Sequence, residues 1–202
     1  MAQRKPSNPL ALAVLSLLNE KPMHPYEIGS TMRQRRMSDS IKLNTGSLYA
    51  VVESLLRGGW IEPVATEREG RHPERTIYAP TEAGKELFFN WLRSLIETPV
   101  KEYPQFAAGL AFLGHLAPEE TARLLENRLQ ELDRQLEAER ASWKDAAEAG
   151  VDRLFLIETE YTLTMMEAER SWVEKVIREI REGTLTRLWH RLNAASSGGD
   201  QG

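Results

Sequence analysis

The stretch from Asn44 to Lys85 holds the residues best suited to chemistry. Thr45, Gly46, Ser47 and Tyr49 stand at the head of a segment with helical apolar spacing. Free backbone N–H groups and hydroxyls at a helix start hydrogen-bond phosphate oxygens, and the helix dipole favours an anion there. Farther along, Arg68, Arg71, His72 and Arg75 gather around Gly70 and Pro73. Cations on a turn contact a sugar–phosphate backbone whatever its base sequence. Together the two groups suit a duplex nucleic acid, one meeting the major groove and one the flanking backbone. Each has a plainer reading beside it. Thr45 or Ser47 can serve only as a helix cap, and Tyr49 can pack beneath the turn. Glu67, Glu69 and Glu74 interleave with the cations, so a solvated mixed-charge hairpin is the alternative. Arg71 sits at the tip, where phosphate or the minor groove is nearest; Arg75 lies closer to the strands, where a structural role competes. Lys42 precedes the helix and is either a phosphate contact or an ordinary surface lysine.

These residues need a scaffold, and the sequence predicts one. Pro9, after Ser7 and Asn8 as caps, opens a first helix that is apolar on most sides and therefore buried. His24-Pro25 opens a second, carrying Tyr26, Ile28 and Met32. Leu48, Val51, Val52, Leu55 and Leu56 give the third helix, about Asn44 to Arg57, its core stripe. Gly58-Gly59 stops it. Trp60 to Glu67 and Arg75 to Pro80 read as two strands, and Pro63 makes the first an edge strand. Thr81 caps a fourth helix with Leu87, Phe88, Trp91, Leu92, Leu95 and Ile96 on one face. Helix, stop, strand, charged turn, strand, helix is the order of a winged helix-turn-helix.

The remainder is almost wholly helical. Pro104 to Leu116 reads as a short apolar helix, and Pro118 begins a long one with a seam at Leu125, Leu129, Leu132, Leu136, Glu139 and Trp143. After Gly150 a second long helix, to about Glu182, places Leu154, Ile157, Tyr161, Met165, Ala168, Trp172 and Val176 on one face. Phe155, Met166, Val173, Ile177 and Ile180 lie beside that face. The stripe is wide for a two-helix unit, and a second subunit is the simplest cover. Leu185 to Leu192 reads as a terminal helix. The expected division is 1–98 for the winged domain, 99–193 for a helical dimerisation and effector domain, and 194–202 for a disordered tail. The fold class is mainly α, with one small β-hairpin.

Composition narrows the function further. Residues 1–80 hold 11 Lys/Arg against 8 Asp/Glu, net +3, and residues 81–202 hold 15 against 22, net −7. A basic front and an acidic back fit a nucleic-acid reader joined to a domain with another role. The chain has no cysteine, which excludes disulfides and thiolate chemistry and fits a cytoplasmic protein. No apolar run is long enough to span a bilayer. The four histidines fall in different elements without metal-ligand spacing. No phosphate loop or nucleophile elbow is present. No catalysis, metal or cofactor is expected.

Four segments stand in an order and spacing that resemble the PadR-type transcriptional regulators: LALAVLSLL, HPYEI, TGSLYAVVESL and RTIYAPTEAGK. The resemblance covers the first 85 residues. That family usually shows His-Gly-Tyr-Glu-Ile, so Pro25 departs from it and stiffens the start of the second helix. Ala50 stands where proline is common after the Leu-Tyr pair. The back half resembles, in helix pattern and length, the C-terminal dimerisation domain of the longer members. The resemblance implies a homodimeric repressor released by a small ligand, with Tyr26 near the DNA backbone; the plain reading of Tyr26 is a half-buried tyrosine.

The partners this implies are double-stranded DNA, as an inverted-repeat operator, and a second copy through the C-terminal helices. A small apolar or aromatic effector is the third, with no membrane involved. Trp143, Tyr161, Met165, Met166 and Trp172 are candidates for an effector pocket, their plainer role being core or dimer seam. If the pocket lies against the winged domain, Trp91 and Phe112 supply its other wall. A winged helix that binds protein instead of DNA is the competing function.

Overall fold

Asn8 accepts a hydrogen bond from the Leu10 N–H at 2.9 Å, and Pro9 supplies a preset φ at the first helical position. Helix α1 therefore starts at Pro9 and runs to Glu20 in the computed structural model, which describes residues 6–37, 40–67, 75–185 and 189. The described chain divides into two units, Met1–Lys101 and Glu102–Gly202.

In the first unit α1 is the centre of the core. Leu10, Val14, Leu15, Leu17 and Leu18 are all but removed from solvent. Burying each such side chain is worth about 2 kcal/mol over leaving it exposed. Around it stand α2 (Pro25–Gln34), α3 (Thr45–Arg57), the hairpin β1 (Ile61–Glu67) and β2 (Arg75–Pro80), and α4 (Glu82–Glu97). The strands pair antiparallel from Ile61–Pro80 to Glu67–Arg75, with an irregularity between Pro63 and Ala65. Proline cannot donate to the ladder, which confines it to such an edge. On its other side β2 bridges to Met23, by reciprocal Met23–Tyr78 backbone bonds of 3.1 and 3.0 Å.

Helix α3 ends at a sharp turn in which Gly59 takes φ +64°, a conformation that suits glycine. The carbonyl of Trp60 then accepts the Thr81 N–H at 3.0 Å, while the Thr81 hydroxyl donates to Gly59 O at 2.8 Å and accepts from the Gly84 N–H at 3.1 Å. The end of α3, the base of the hairpin and the start of α4 thus meet at one point. Gly84 permits it: a Cβ there would lie 1.9 Å from the Trp60 carbonyl oxygen.

The second unit holds α5 (Gln105–Leu110), a 3₁₀ turn at Leu113–His115, α6 (Pro118–Glu148), a second 3₁₀ turn at Arg153–Phe155, and α7 (Ile157–Arg181). Helices α6 and α7 form an antiparallel hairpin. Arg128–Glu169 and Asp133–Arg170 at 2.5 Å, Arg140–Glu167 at 2.7 Å, and Glu126–Arg181 tie its register. Ala122, Leu125, Leu132, Val173, Val176, Ile177 and Ile180 form its core, joined by Trp189, whose indole N–H donates to Leu116 O at 2.7 Å.

Several expectations are corrected. Leu56 is exposed, because the core covers α3 along Leu48, Val52 and Leu55, with Val51 partly buried beside them. On α4, Leu92, Leu95 and Ile96 are exposed; the helix outruns the core it packs on. The expected short helix over Pro104–Leu116 is broken into α5 and a 3₁₀ turn, and the second long helix starts at Ile157 rather than Val151. On α7 and the 3₁₀ turn before it, the expected core face is largely the open one. Leu154, Ile157, Tyr161, Met165 and Trp172 are exposed, because α6 packs on the neighbouring line through Val173, Ile177 and Ile180. The terminal helix, apart from Leu185 and Trp189, and the tail 194–202 lie outside the described residues.

Gly84→Ala is expected to destabilise the protein by about 1–3 kcal/mol, since backbone must move to admit the methyl group. Gly109→Ala, where a Cβ meets nothing within 4 Å, should be neutral or stabilising by up to ~1 kcal/mol. Urea midpoints of the two variants check the contrast.

Candidate nucleic-acid interface

Asn44, Thr45 and Ser47 are each able to cap α3, and backbone geometry decides between them. Asn44 is extended at φ −133°, and its side-chain oxygen accepts the Ser47 N–H at 2.7 Å. Thr45 and Ser47 are therefore not the cap. The Leu48 N–H is bonded to Asn44 O at 3.0 Å. The first-turn amides of Thr45 and Gly46 have no carbonyl one turn back to bond. Thr45 and Gly46 are exposed, with Lys42 exposed just before them. A Cβ on Gly46 would meet only the Asn44 side-chain oxygen, at 3.7 Å. Packing does not require glycine at this position, but its missing side chain leaves the helix start open to close approach.

The face that continues from this turn carries Tyr49, Ala50 and Glu53, all exposed, and ends at Arg57, 3.8 Å from Glu53. Ser47 is half-buried and lines a cleft of about 440 Å³ with Ser7, Asn8, Ala50 and Ser54, between the start of α1 and α3. Of the hairpin cations, Arg75 is described: it is half-buried and opens β2 opposite Glu67. Arg68, Arg71 and His72 lie outside the described residues.

Tyr26 stands in the first turn of α2, 63% exposed, which settles its burial in favour of an open side chain. Its backbone N–H donates to Nδ1 of His24 at 3.1 Å. The sequence marks His24-Pro25 as the helix start without singling out the His24 side chain as its cap; the signal for that is its place directly before the helix-opening proline. Because Nδ1 accepts, a neutral His24 carries its proton on Nε2. Burial, and then the nearby Arg75 charge, push its pKa below the usual 6.5, with Glu27 opposing. His24, Tyr26 and Arg75 thus belong to one neighbourhood at the start of α2, although Arg75 is distant from the other two in sequence.

Residues suited to a small ligand collect in the second unit. Tyr161, Met165, Met166 and Trp172 of α7 and Phe106 and Leu110 of α5 line an open groove of about 550 Å³. Phe106 meets Trp172 edge-on, with ring centroids 6.1 Å apart. Three of the expected residues do not line this groove. Trp91 packs on the core of the first unit, and Phe112 is exposed beyond α5. Trp143 is half-buried on α6, with its indole N–H enclosed and without a hydrogen-bond partner. In the sequence Phe106 is distinguished only as a member of the apolar segment Pro104 to Leu116. Among the described residues no cluster of three or more His, Asp or Glu side chains could hold a metal ion, and no helix is long and apolar enough to cross a membrane.

A helix with an open, polar first turn, followed at once by a two-stranded antiparallel hairpin on the same core, defines a winged helix-turn-helix of the transcription-regulator class. A family model described as the Transcriptional regulator PadR-like family matches residues 14–89, which lie within the first, winged unit of the chain.

Solved structures share the fold across both units. Bacillus subtilis PadR in complex with operator DNA is 20% identical, with a TM-score of 0.69 over 86% of this chain and 99% of that one. The same protein in complex with p-coumaric acid is 19% identical, with a TM-score of 0.69 over 85% and 98%. The Vibrio cholerae virulence activator AphA is 17% identical, with a TM-score of 0.65 over 86% and 98%. At these identities the likeness concerns the fold alone. Among curated protein sequences none matches the chain.

The His24 cap generates a prediction. The folded protein holds His24 neutral while the unfolded chain takes up a proton near pH 6.5, so the unfolded state binds more protons just below that value. Stability is complete above it and falls as the pH drops through the lowered folded value. His24→Asn keeps a capping oxygen and should flatten this part of the profile, while His24→Ala should cost about 1 kcal/mol at neutral pH. Thermal midpoints between about pH 7.5 and about pH 5.5 check both.

Proposed function

We propose that the chain is a homodimeric repressor that grips operator DNA with α3 and the hairpin and lets go when a small effector binds. The observation that carries the DNA reading is the open first turn of α3, with the amides of Thr45 and Gly46 free of intrahelical acceptors beside exposed Lys42. Placed at a major groove, that turn meets a phosphate while Tyr49 and Ala50 face base edges. Arg75 and Tyr26 reach the flanking backbone, and Arg68, Arg71 and His72, which precede Arg75 in the sequence, are its further candidate contacts. The operator complex of Bacillus subtilis PadR supports this role for a fold of this kind.

The dimer rests on the uncovered apolar residues Leu154, Phe155 and Ile157, which a second copy would bury. Two-fold symmetry then calls for an inverted repeat, with half-sites about one or two helical turns apart. A dimer seated over a promoter excludes other proteins from it, which is repression. The effector reading rests on the groove of the second unit and on the p-coumaric acid complex of the relative. An effector acts by favouring a spacing of the two heads that cannot meet both grooves.

A winged helix that binds protein is the second reading. It is favoured by the outer face of α3, where Glu53 stands beside Arg57, and by the small net charge of +3 over residues 1–80. Anisotropy of a labelled duplex from upstream of the chain's own coding sequence separates the two, measured at two salt concentrations with excess unrelated competitor. Salt-weakened, competitor-resistant binding by two chains per site supports the repressor; no preference over competitor on any genomic fragment supports the protein-binding module.

Two variants sharpen the DNA reading. Arg75→Ala should weaken binding on every sequence and lower the salt slope by about one. Gly46→Ala should leave the urea midpoint unchanged or raise stability by up to ~1 kcal/mol, yet weaken duplex binding, because its methyl group stands where phosphate approaches. Undiminished affinity in Gly46→Ala removes the helix start from the contact.

A further inference from the structure

We propose that the groove of the second unit selects a flat aromatic cation, a class opposite in charge to p-coumaric acid. The inference rests on the effector reading and adds the ligand's charge to it. The groove offers three aromatic rings, Phe106, Tyr161 and Trp172, and the thioethers of Met165 and Met166. Tyr161 is 66% exposed and Trp172 42% exposed, so their faces are open to a guest. Such a lining suits a planar apolar body. Its charged residues decide the rest. Glu102 and Glu169 both line the groove, and no Lys, Arg or His does.

Glu169 is already answered by Arg128, whose guanidinium lies 2.5 Å from its carboxylate. Glu102 forms no ion pair among the described residues, so one uncompensated negative charge stands at the edge of the aromatic lining. One lining residue offers an internal precedent, with a cation from outside the groove lining itself. The Arg128 guanidinium carbon sits 3.6 Å from the centroid of Phe106, which shows that the negative ring face here accepts a cation. The net charge of −7 over residues 81–202 adds a field of the same sign. An aromatic carboxylate in this groove would face Glu102 and the ring faces with its own negative charge. A quaternary ammonium joined to a fused ring would pair with Glu102 and stack on Trp172 or Tyr161.

The test compares three probes of similar size: 1-methylquinolinium, its neutral counterpart 1-methylnaphthalene, and p-coumarate. Binding is read by quenching of tryptophan fluorescence in the full chain, with Trp172→Phe to assign the signal. The cation should bind about tenfold tighter than the neutral probe, and p-coumarate weaker than either. Glu102→Gln, an exposed and isosteric change, should bring the cation close to the neutral probe and leave the neutral probe's affinity unchanged. Equal binding of cation and neutral probe, or an unaltered preference in Glu102→Gln, overturns the proposal. Tightest binding by p-coumarate overturns it too, while leaving the effector reading intact. Failure of all three to quench Trp172 overturns both.

Discussion

The carbonyl of Trp60 is the point on which the winged unit depends. It takes the Thr81 N–H, and it stands where any side chain at position 84 would be. Thr81 at the same time holds the Gly59 carbonyl and caps α4. Three elements that the chain makes in succession are thereby fixed to one another through backbone. For α3 and the hairpin to meet a duplex together, as proposed, their relative position cannot be left to surface side chains. Buried α1 supplies the other constraint: it packs on α2, α3 and α4 at once, so the core has little freedom to tilt α3 separately.

Much of this was legible because its signals are local. Gly58-Gly59, Pro63 and Thr81 each dictate a conformation within a few residues, and the winged order follows from them. Helical spacing was less informative about which side is covered. The stripe through Leu154, Ile157, Tyr161, Met165 and Trp172 is as periodic as the line through Val173, Ile177 and Ile180, yet only the second lies against α6. Periodicity identifies an apolar face and says nothing of its cover. Asn44 and the pair Thr45 and Ser47 posed a similar ambiguity, because all three can cap and only the backbone angle at Asn44 chooses.

What was not legible depends on contacts distant in sequence. The lowered pKa of His24 reflects burial and the charge of Arg75, which another element brings near. The groove at Phe106 exists because α5 lies along α7, with Arg128 of α6 stacked on the same ring. Tyr161, Met165 and Trp172 could be chosen from their types, but Glu102 and Glu169, which set the charge of the site, look like any solvated carboxylates on a helical chain. Trp91 and Trp143 illustrate the converse: aromatic type alone does not assign a residue to a pocket.

The account stands on α3 and the hairpin forming one DNA-contacting surface. Hydrogen–deuterium exchange with and without the upstream duplex tests that most directly. It predicts slowed exchange over Thr45–Tyr49 and at the start of β2 when duplex is added, with the core of α1 unchanged. Slowed exchange confined to the second unit, or none in α3 while duplex is bound, would contradict it.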